Sequence, residues 1–146
     1  MYDRRLQGFT IIELLIVIVV IAILATISIV SYNGVQQRAK TSSSLETYNI
    51  VLKKAEAVKA ITGFYPATLS DFEQNRETSL IGTGVTLSSV ALDGSQSPTS
   101  LLFSPCSVAS PTGIRIRYYD FSAGVSVTKD SGTLSAPCAV ISGGPY

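Results

Sequence analysis

Few side chains in this chain of 146 residues are placed to do chemistry, and Glu13 is the first of them. Between Phe9 and Val30 it is the only charged side chain, and its neighbours are apolar apart from Thr10, Thr26 and Ser28. A carboxylate inside a membrane helix costs on the order of 2.5–3.5 kcal/mol at the centre and less near an end. Glu13 therefore calls for a partner; the plainer alternative is that it snorkels to the headgroups. The chain has two cysteines, Cys106 and Cys138. In an oxidising compartment they read as one disulfide, closing a loop worth roughly 3.7 kcal/mol by chain entropy; two buried free thiols are the alternative. Histidine is absent, which excludes Ser-His-Asp and Cys-His catalysis and the commonest metal ligand. No phosphate-binding glycine loop is present. Asp71 and Glu73 flank a helix start, where carboxylates are simply favourable. Asp120 and Asp130 lie at the two ends of a predicted hairpin, where calcium is conceivable, but no dense set of oxygen ligands accompanies them. No metal and no cofactor is expected. Arg115, Arg117, Tyr119 and Lys129 form a potential basic and aromatic stripe for nucleic acid; a solvated strand face is the preferred reading.

The elements that must position these groups begin with the apolar run itself. It is long enough, at about 1.5 Å per residue, for a helix of roughly 36 Å that crosses the hydrocarbon core. Arg4 and Arg5 precede it, which favours a cytoplasmic N-terminus. A secretory signal peptide begins similarly, but its apolar core is shorter and ends at a small-x-small site, for which Thr26-Ile27-Ser28 is the one candidate.

The stretch Gly8-Phe9-Thr10-Ile11-Ile12-Glu13-Leu14-Leu15, behind a basic leader and opening a spanning run, resembles the processing site of the type IV pilins and pseudopilins. The resemblance covers about the first third of the chain, and the rest matches only in layout. It implies cleavage after Gly8 by a prepilin peptidase, methylation of the new amine on Phe9, and an assembly role for Glu13. A protonated, methylated amine keeps its positive charge, so a carboxylate beside it recovers much of its desolvation cost. One departure stands out. Many members carry a proline and a glycine in the spanning half, whereas here Val30 holds the proline's place and Gly34 is the nearby glycine.

The expected division is a leader at 1–8, a long helix over 9–62 whose 9–32 portion spans the membrane and forms a filament core, and a β domain over 63–146. The fold class expected is α+β, a long N-terminal helix packed on a small antiparallel sheet. Leu45, Tyr48, Leu52, Ala55, Val58 and Ile61 recur at helical steps and predict the packed stripe. Gly63 suits a left-handed stop. The helix would then extend on the order of 80 Å. Asn33-Gly34 and Thr41 to Ser44 are its weak points. Phe64 and Tyr65 are expected to seal the core edge. Ser70 and Glu73 suggest a capping box for a turn over 70–74. Val85-Thr86-Leu87, Val90-Ala91-Leu92 and Leu101-Leu102-Phe103 are short strand candidates. Ile114 to Phe121 is the clearest strand, and Ser122-Ala123-Gly124 turns it into a hairpin with Val125 and Val127. The tail from Leu134 reads as loop, pinned by the cysteines. In the resembling family such a loop is often closed this way and exposed on the fibre.

With Arg4, Arg5 and Asp3 removed, nine basic and nine acidic residues remain, and a neutral chain argues against bulk-charge binding of nucleic acid. The function expected is a structural subunit, not an enzyme: a pilin-like protein serving adhesion, motility or DNA uptake. It would sit in the cytoplasmic membrane as a single-pass precursor and in an extracellular filament once assembled. The partners implied are other pilin subunits, the prepilin peptidase and methylase, and an assembly platform with its motor. Two alternatives are a pseudopilin of a secretion or competence machine and a membrane-anchored binding module that never polymerises.

Overall fold

The structure is a computed structural model that describes residues 8–107, 109–135, 137–141 and 143. The leader residues Arg4 and Arg5, and the glycine and proline at 144 and 145, lie outside the described residues. The chain has two compact units that meet between Gln36 and Gln37. Helix α1 spans Ile11–Thr62 and contributes to both.

In the first unit every described side chain is exposed, including the whole apolar run. Its helix holds because the backbone bonds are internal and the residues are straight-chain or β-branched apolar types without proline. Its hydroxyls are answered locally: Thr26 Oγ1 donates to the Ile23 carbonyl at 2.7 Å and Ser28 Oγ to the Leu24 carbonyl at 2.8 Å. Such back-bonding gives each hydroxyl an acceptor within the helix itself.

The second unit is α+β and pilin-like. The later part of α1 packs on a four-stranded sheet of order β1-β2-β3-β4, where β1 is Thr86–Leu87, β2 Ser100–Cys106, β3 Gly113–Asp120 and β4 Val125–Gly132. A short helix α2 spans Leu69–Glu73. The sheet is mixed rather than purely antiparallel. β2 pairs antiparallel with β3, and β3 with β4, but β1 runs parallel to β2. The parallel pair arises because the segment after Leu87 leaves the sheet and returns before Ser100 in the same direction.

That segment also holds the other departure from sequence expectation. Val90-Ala91-Leu92 forms no strand. It lies in a loop held by Gln96, whose side chain accepts from Asp93 N and donates to the Ala91 carbonyl. The loop is tied to the sheet by Ser126 Oγ donating to the Leu92 carbonyl at 2.8 Å, and Leu92 is buried. Gly94 sits at φ +87 against the Tyr119 ring, where a Cβ would collide with the ring carbons.

The core gathers Val51, Ala55 and Val58 of α1 with Phe72, Leu80, Val85, Leu101, Phe103, Ile114 and Ile116. Phe72 and Phe103 meet edge to face at 5.4 Å, a favoured aromatic geometry. The buried stripe of α1 is Ser44, Thr47, Val51, Ala55 and Val58. The predicted stripe holds at Ala55 and Val58 and is shifted by one residue before them, to Val51, Thr47 and Ser44. Leu45 and Ile61 are exposed, and Tyr48 and Leu52 pack at its flank. The early buried positions are small and polar, Ser44 and Thr47, and Tyr48 beside them sets its ring 5.5 Å from that of Tyr118.

Helix α1 stops as its sequence prescribes. Gly63 takes φ +86, and its N–H donates to the Lys59 carbonyl at 2.8 Å. Tyr65 is buried at the core edge, its hydroxyl 2.9 Å from Ser131 Oγ, with Lys59 Nζ 4.4 Å above its ring. Phe64, expected to seal the same edge, is exposed instead. The cap of α2 also shifts. Thr68 is the N-cap, and Asp71 accepts from the N–H of Thr68 and of Ala67 at 2.8 Å. The Ser70–Glu73 pairing is thus replaced by one starting two residues earlier, because Thr68 and Asp71 have the same three-residue spacing and α2 starts at Leu69.

Candidate processing and assembly site

The first turn of α1 explains how Glu13 is held. Thr10 precedes the helix, and Glu13 is its third residue. Glu13 Oε2 accepts from the Thr10 backbone N–H and from Thr10 Oγ1, each at 2.8 Å. Thr10 Oγ1 in turn accepts from the Glu13 N–H at 3.3 Å. This is a reciprocal capping box: two donors left orphaned by the helix start are satisfied by two side chains. The carboxylate is turned back towards the beginning of the helix, where the macrodipole favours negative charge. Sequence reasoning treated Glu13 as a costly group awaiting a partner and missed Thr10. The Thr-x-x-Glu spacing was the signal that could have found it.

Phe9 is 85% exposed, and Gly8 is exposed with no atom within 4 Å of where a Cβ would stand. Among the described residues nothing covers the peptide bond between them. Beyond it the apolar residues of α1 stay exposed through Val35, a stretch long and apolar enough to cross a membrane.

The two cysteines are bonded to each other. Cys106 ends β2 and is buried, and Cys138 faces it as an isolated antiparallel bridge. The tail then continues along the same strand edge. Ala139 N donates to the Pro105 carbonyl at 3.1 Å and Ile141 N to the Phe103 carbonyl at 3.0 Å. Leu87 and Gly143 exchange two backbone bonds at 2.8 and 2.9 Å. The tail thereby answers strand groups that a bare edge would leave open.

The remaining candidate residues are not brought together. Arg115 forms a two-pronged ion pair with Asp130 at 2.8 and 3.1 Å, across the β3–β4 ladder. This pair holds the Asp130 carboxyl below the usual aspartate range. Arg117 stands opposite Thr128 and Tyr119 opposite Ser126, on that same face. Lys129 is opposite Ile116, hence on the other face, so the four residues form no single stripe. The alternation that sets Arg115, Arg117 and Tyr119 together also fixes Lys129 once the register is known. Asp120 and Asp130 do not share a site either. The Asp120 carboxylate accepts from Thr41 Oγ1 and from the N–H groups of Ser122 and Ala123. Among the described residues no cluster of three or more acidic, cysteine or histidine side chains gathers as a metal site.

Residues 3–29 match the family model of the prokaryotic N-terminal methylation motif. The chain thus carries the signature shared by type IV pilins and pseudopilins. Its N-terminal segment marks a precursor of that kind, of the sort processed by a prepilin peptidase and anchored through an apolar helix. Comparison with characterised proteins and comparison with solved structures each find no match.

Proposed function

We propose that this chain is the precursor of a structural filament subunit. A membrane peptidase cuts between Gly8 and Phe9, releasing a leader of residues 1–8, and the new Phe9 amine is methylated. The helix over 9–62 anchors the precursor through its 9–32 portion, with the N-terminus inside, and the same portion packs against other subunits as the filament core. The β domain over 63–146 is then carried on the outside of the fibre. An assembly platform and motor extract the subunit from the membrane.

The observation that carries this reading is the orientation of Glu13. Its carboxylate is 2.8 Å from Thr10 N, at the end of the helix where cleavage creates a cation one residue away. In the precursor Thr10 partly offsets the carboxylate's desolvation. After cleavage the Phe9 amine completes the neutralisation, within one subunit or across to the next. An interaction across subunits fixes their axial stagger. The exposed apolar helix supports the same reading, since in an assembly it gains packing partners that lipid alone does not offer as specifically.

The test compares wild type with Glu13→Leu and Glu13→Gln, made without wild-type subunits. The expected outcome is normal insertion and cleavage for both variants, with mature chains starting at methylated Phe9 by intact mass. Sheared fibres should be strongly reduced for both. Normal fibre yield from both variants, or a mature chain starting elsewhere, overturns the proposal and favours an anchor that does not polymerise.

A further inference from the structure

We propose that the tip of the β3–β4 hairpin is a releasable clasp on the first packed turn of α1. The contact joins residues about eighty positions apart in sequence and is entirely polar. Thr41 Oγ1 donates to Asp120 Oδ1 at 2.9 Å and accepts from the Ser122 N–H at 3.0 Å. The Ser122 hydroxyl lies 3.1 Å from the same Thr41 oxygen. Asp120 Oδ1 also accepts from the N–H groups of Ser122 at 2.9 Å and Ala123 at 3.1 Å. One carboxylate thus shapes the hairpin turn and grips the helix together. Lys40 Nζ, 5.5 Å from the centre of the Phe121 ring, adds a cation–π contact beside it.

The helix needs this grip at this place. Every described residue from Gly8 to Lys40 is exposed, Thr41 is the first that is not, and Ser44 is the first that is buried. The turn Thr41-Ser42-Ser43-Ser44 consists of residues with weak helix propensity, whose hydroxyls compete for the backbone. Ser44 Oγ is buried without a hydrogen-bond partner among the described residues, a further cost in the closed state. The helix contributes no residue to the hydrophobic core cluster before Val51, with Tyr48 and Ile50 packed at its margin. Opening the turn therefore exposes hardly any apolar area, and hydrogen bonds centred on Asp120 govern the closed state. Local opening at low free energy is the expected property of such a segment, while Val51, Ala55 and Val58 keep the rest of the helix docked. The device sets how much of α1 the sheet holds at a given moment. It does not depend on the filament reading.

The test is hydrogen exchange on the full chain in detergent micelles, for wild type, Thr41→Val, Asp120→Asn and Asp120→Ala. Thr41→Val leaves the hairpin's own bonds to Asp120 intact and removes only the link to the helix. Loss of a charge-assisted bond predicts exchange faster by about tenfold or more for amides at 41–47. Amides at 51–58 and in β2 and β3 should keep wild-type rates. Asp120→Asn, which keeps an acceptor without the charge, should lie between Thr41→Val and wild type, and Asp120→Ala should equal or exceed Thr41→Val. Unchanged exchange at 41–47 in Thr41→Val overturns the clasp. Acceleration spread evenly over the whole second unit in that variant also overturns it, because it would mark an ordinary structural contact. Should Asp120→Ala not fold, Thr41→Val and Asp120→Asn decide the matter by themselves.

Discussion

Replacing Cys138 by alanine tests how the C-terminal region is held. The bridge joins positions separated by 32 residues. Closing a loop of that length removes about 3.7 kcal/mol of chain entropy from the unfolded ensemble. The structure argues that the realised loss will not exceed this figure by much. Ala139 and Ile141 donate to β2 carbonyls, and Leu87 and Gly143 pair on both sides, so the tail retains a register without the bridge. Those bonds cannot lower the unfolded-state entropy, but they keep the native tail docked, so no further native contact is lost. The expected destabilisation is about 2–4 kcal/mol. With a urea dependence of about 2 kcal/mol/M, the unfolding midpoint should fall by about 1–2 M. The assay is urea unfolding of the full chain in detergent, followed by far-ultraviolet circular dichroism, for wild type with and without reductant and for the variant. Reduced wild type and Cys138→Ala should coincide. Equal midpoints for oxidised wild type and the variant would refute the reasoning, as would quantitative alkylation of both thiols in unreduced protein.

Glycine substitutions should separate two opposite cases. Gly132→Ala forces a Cβ at φ +79 against the Thr112 carbonyl and the Tyr65 ring, and should cost about 1–3 kcal/mol in thermal or urea unfolding. Gly34→Ala meets nothing within 4 Å in an exposed helix and should raise helix stability by about 0.5–1 kcal/mol, read as slower amide exchange around it; slower unfolding of the first and faster exchange in the second would contradict both arguments. Acid should weaken the second unit through its aspartates. Asp130 is depressed by Arg115, Asp120 by the Ala123 N–H and then Thr41, and Asp93 by the Ser95 hydroxyl and N–H. A depressed folded value gives stability that is present above the ordinary aspartate pKa and lost as pH falls through the folded value. The melting temperature should hold near neutrality and decline below about pH 4, with Asp130→Asn declining less steeply from a lower plateau; a flat profile down to pH 2 would contradict this.

Much of the architecture was legible because it rests on local physics. The apolar run is long and apolar enough to cross a membrane and forms the expected helix, and Gly63 could end α1 because a left-handed stop favours a residue without a side chain. β3 and its turn followed from strict alternation between Ile114 and Tyr119. The motif at Gly8 to Glu13 was legible for a similar reason, as a charge isolated in an apolar segment at a fixed distance from a glycine. Its capping partner was equally local, encoded in the spacing of Thr10 and Glu13.

What the sequence left open depends on contacts between distant segments. A shift of one residue around α1 separates the predicted stripe from Ser44, Thr47 and Val51, and only packing against the rest of the second unit selects between them. Val90 to Leu92 has the composition of a strand, yet Gln96 and Ser126 bind its carbonyls and leave it no ladder. Register decides that Lys129 lies opposite Ile116, away from Arg115 and Arg117. Asp120 offered a carboxylate at a hairpin end, and nothing near it in sequence named Thr41, some eighty residues earlier, as the group it holds. Local patterns fix dihedrals and faces, because propensity and periodicity act over a few residues. Which face meets which partner is set by the packing of the whole second unit, where burial and polar satisfaction are shared among segments that sequence proximity does not connect.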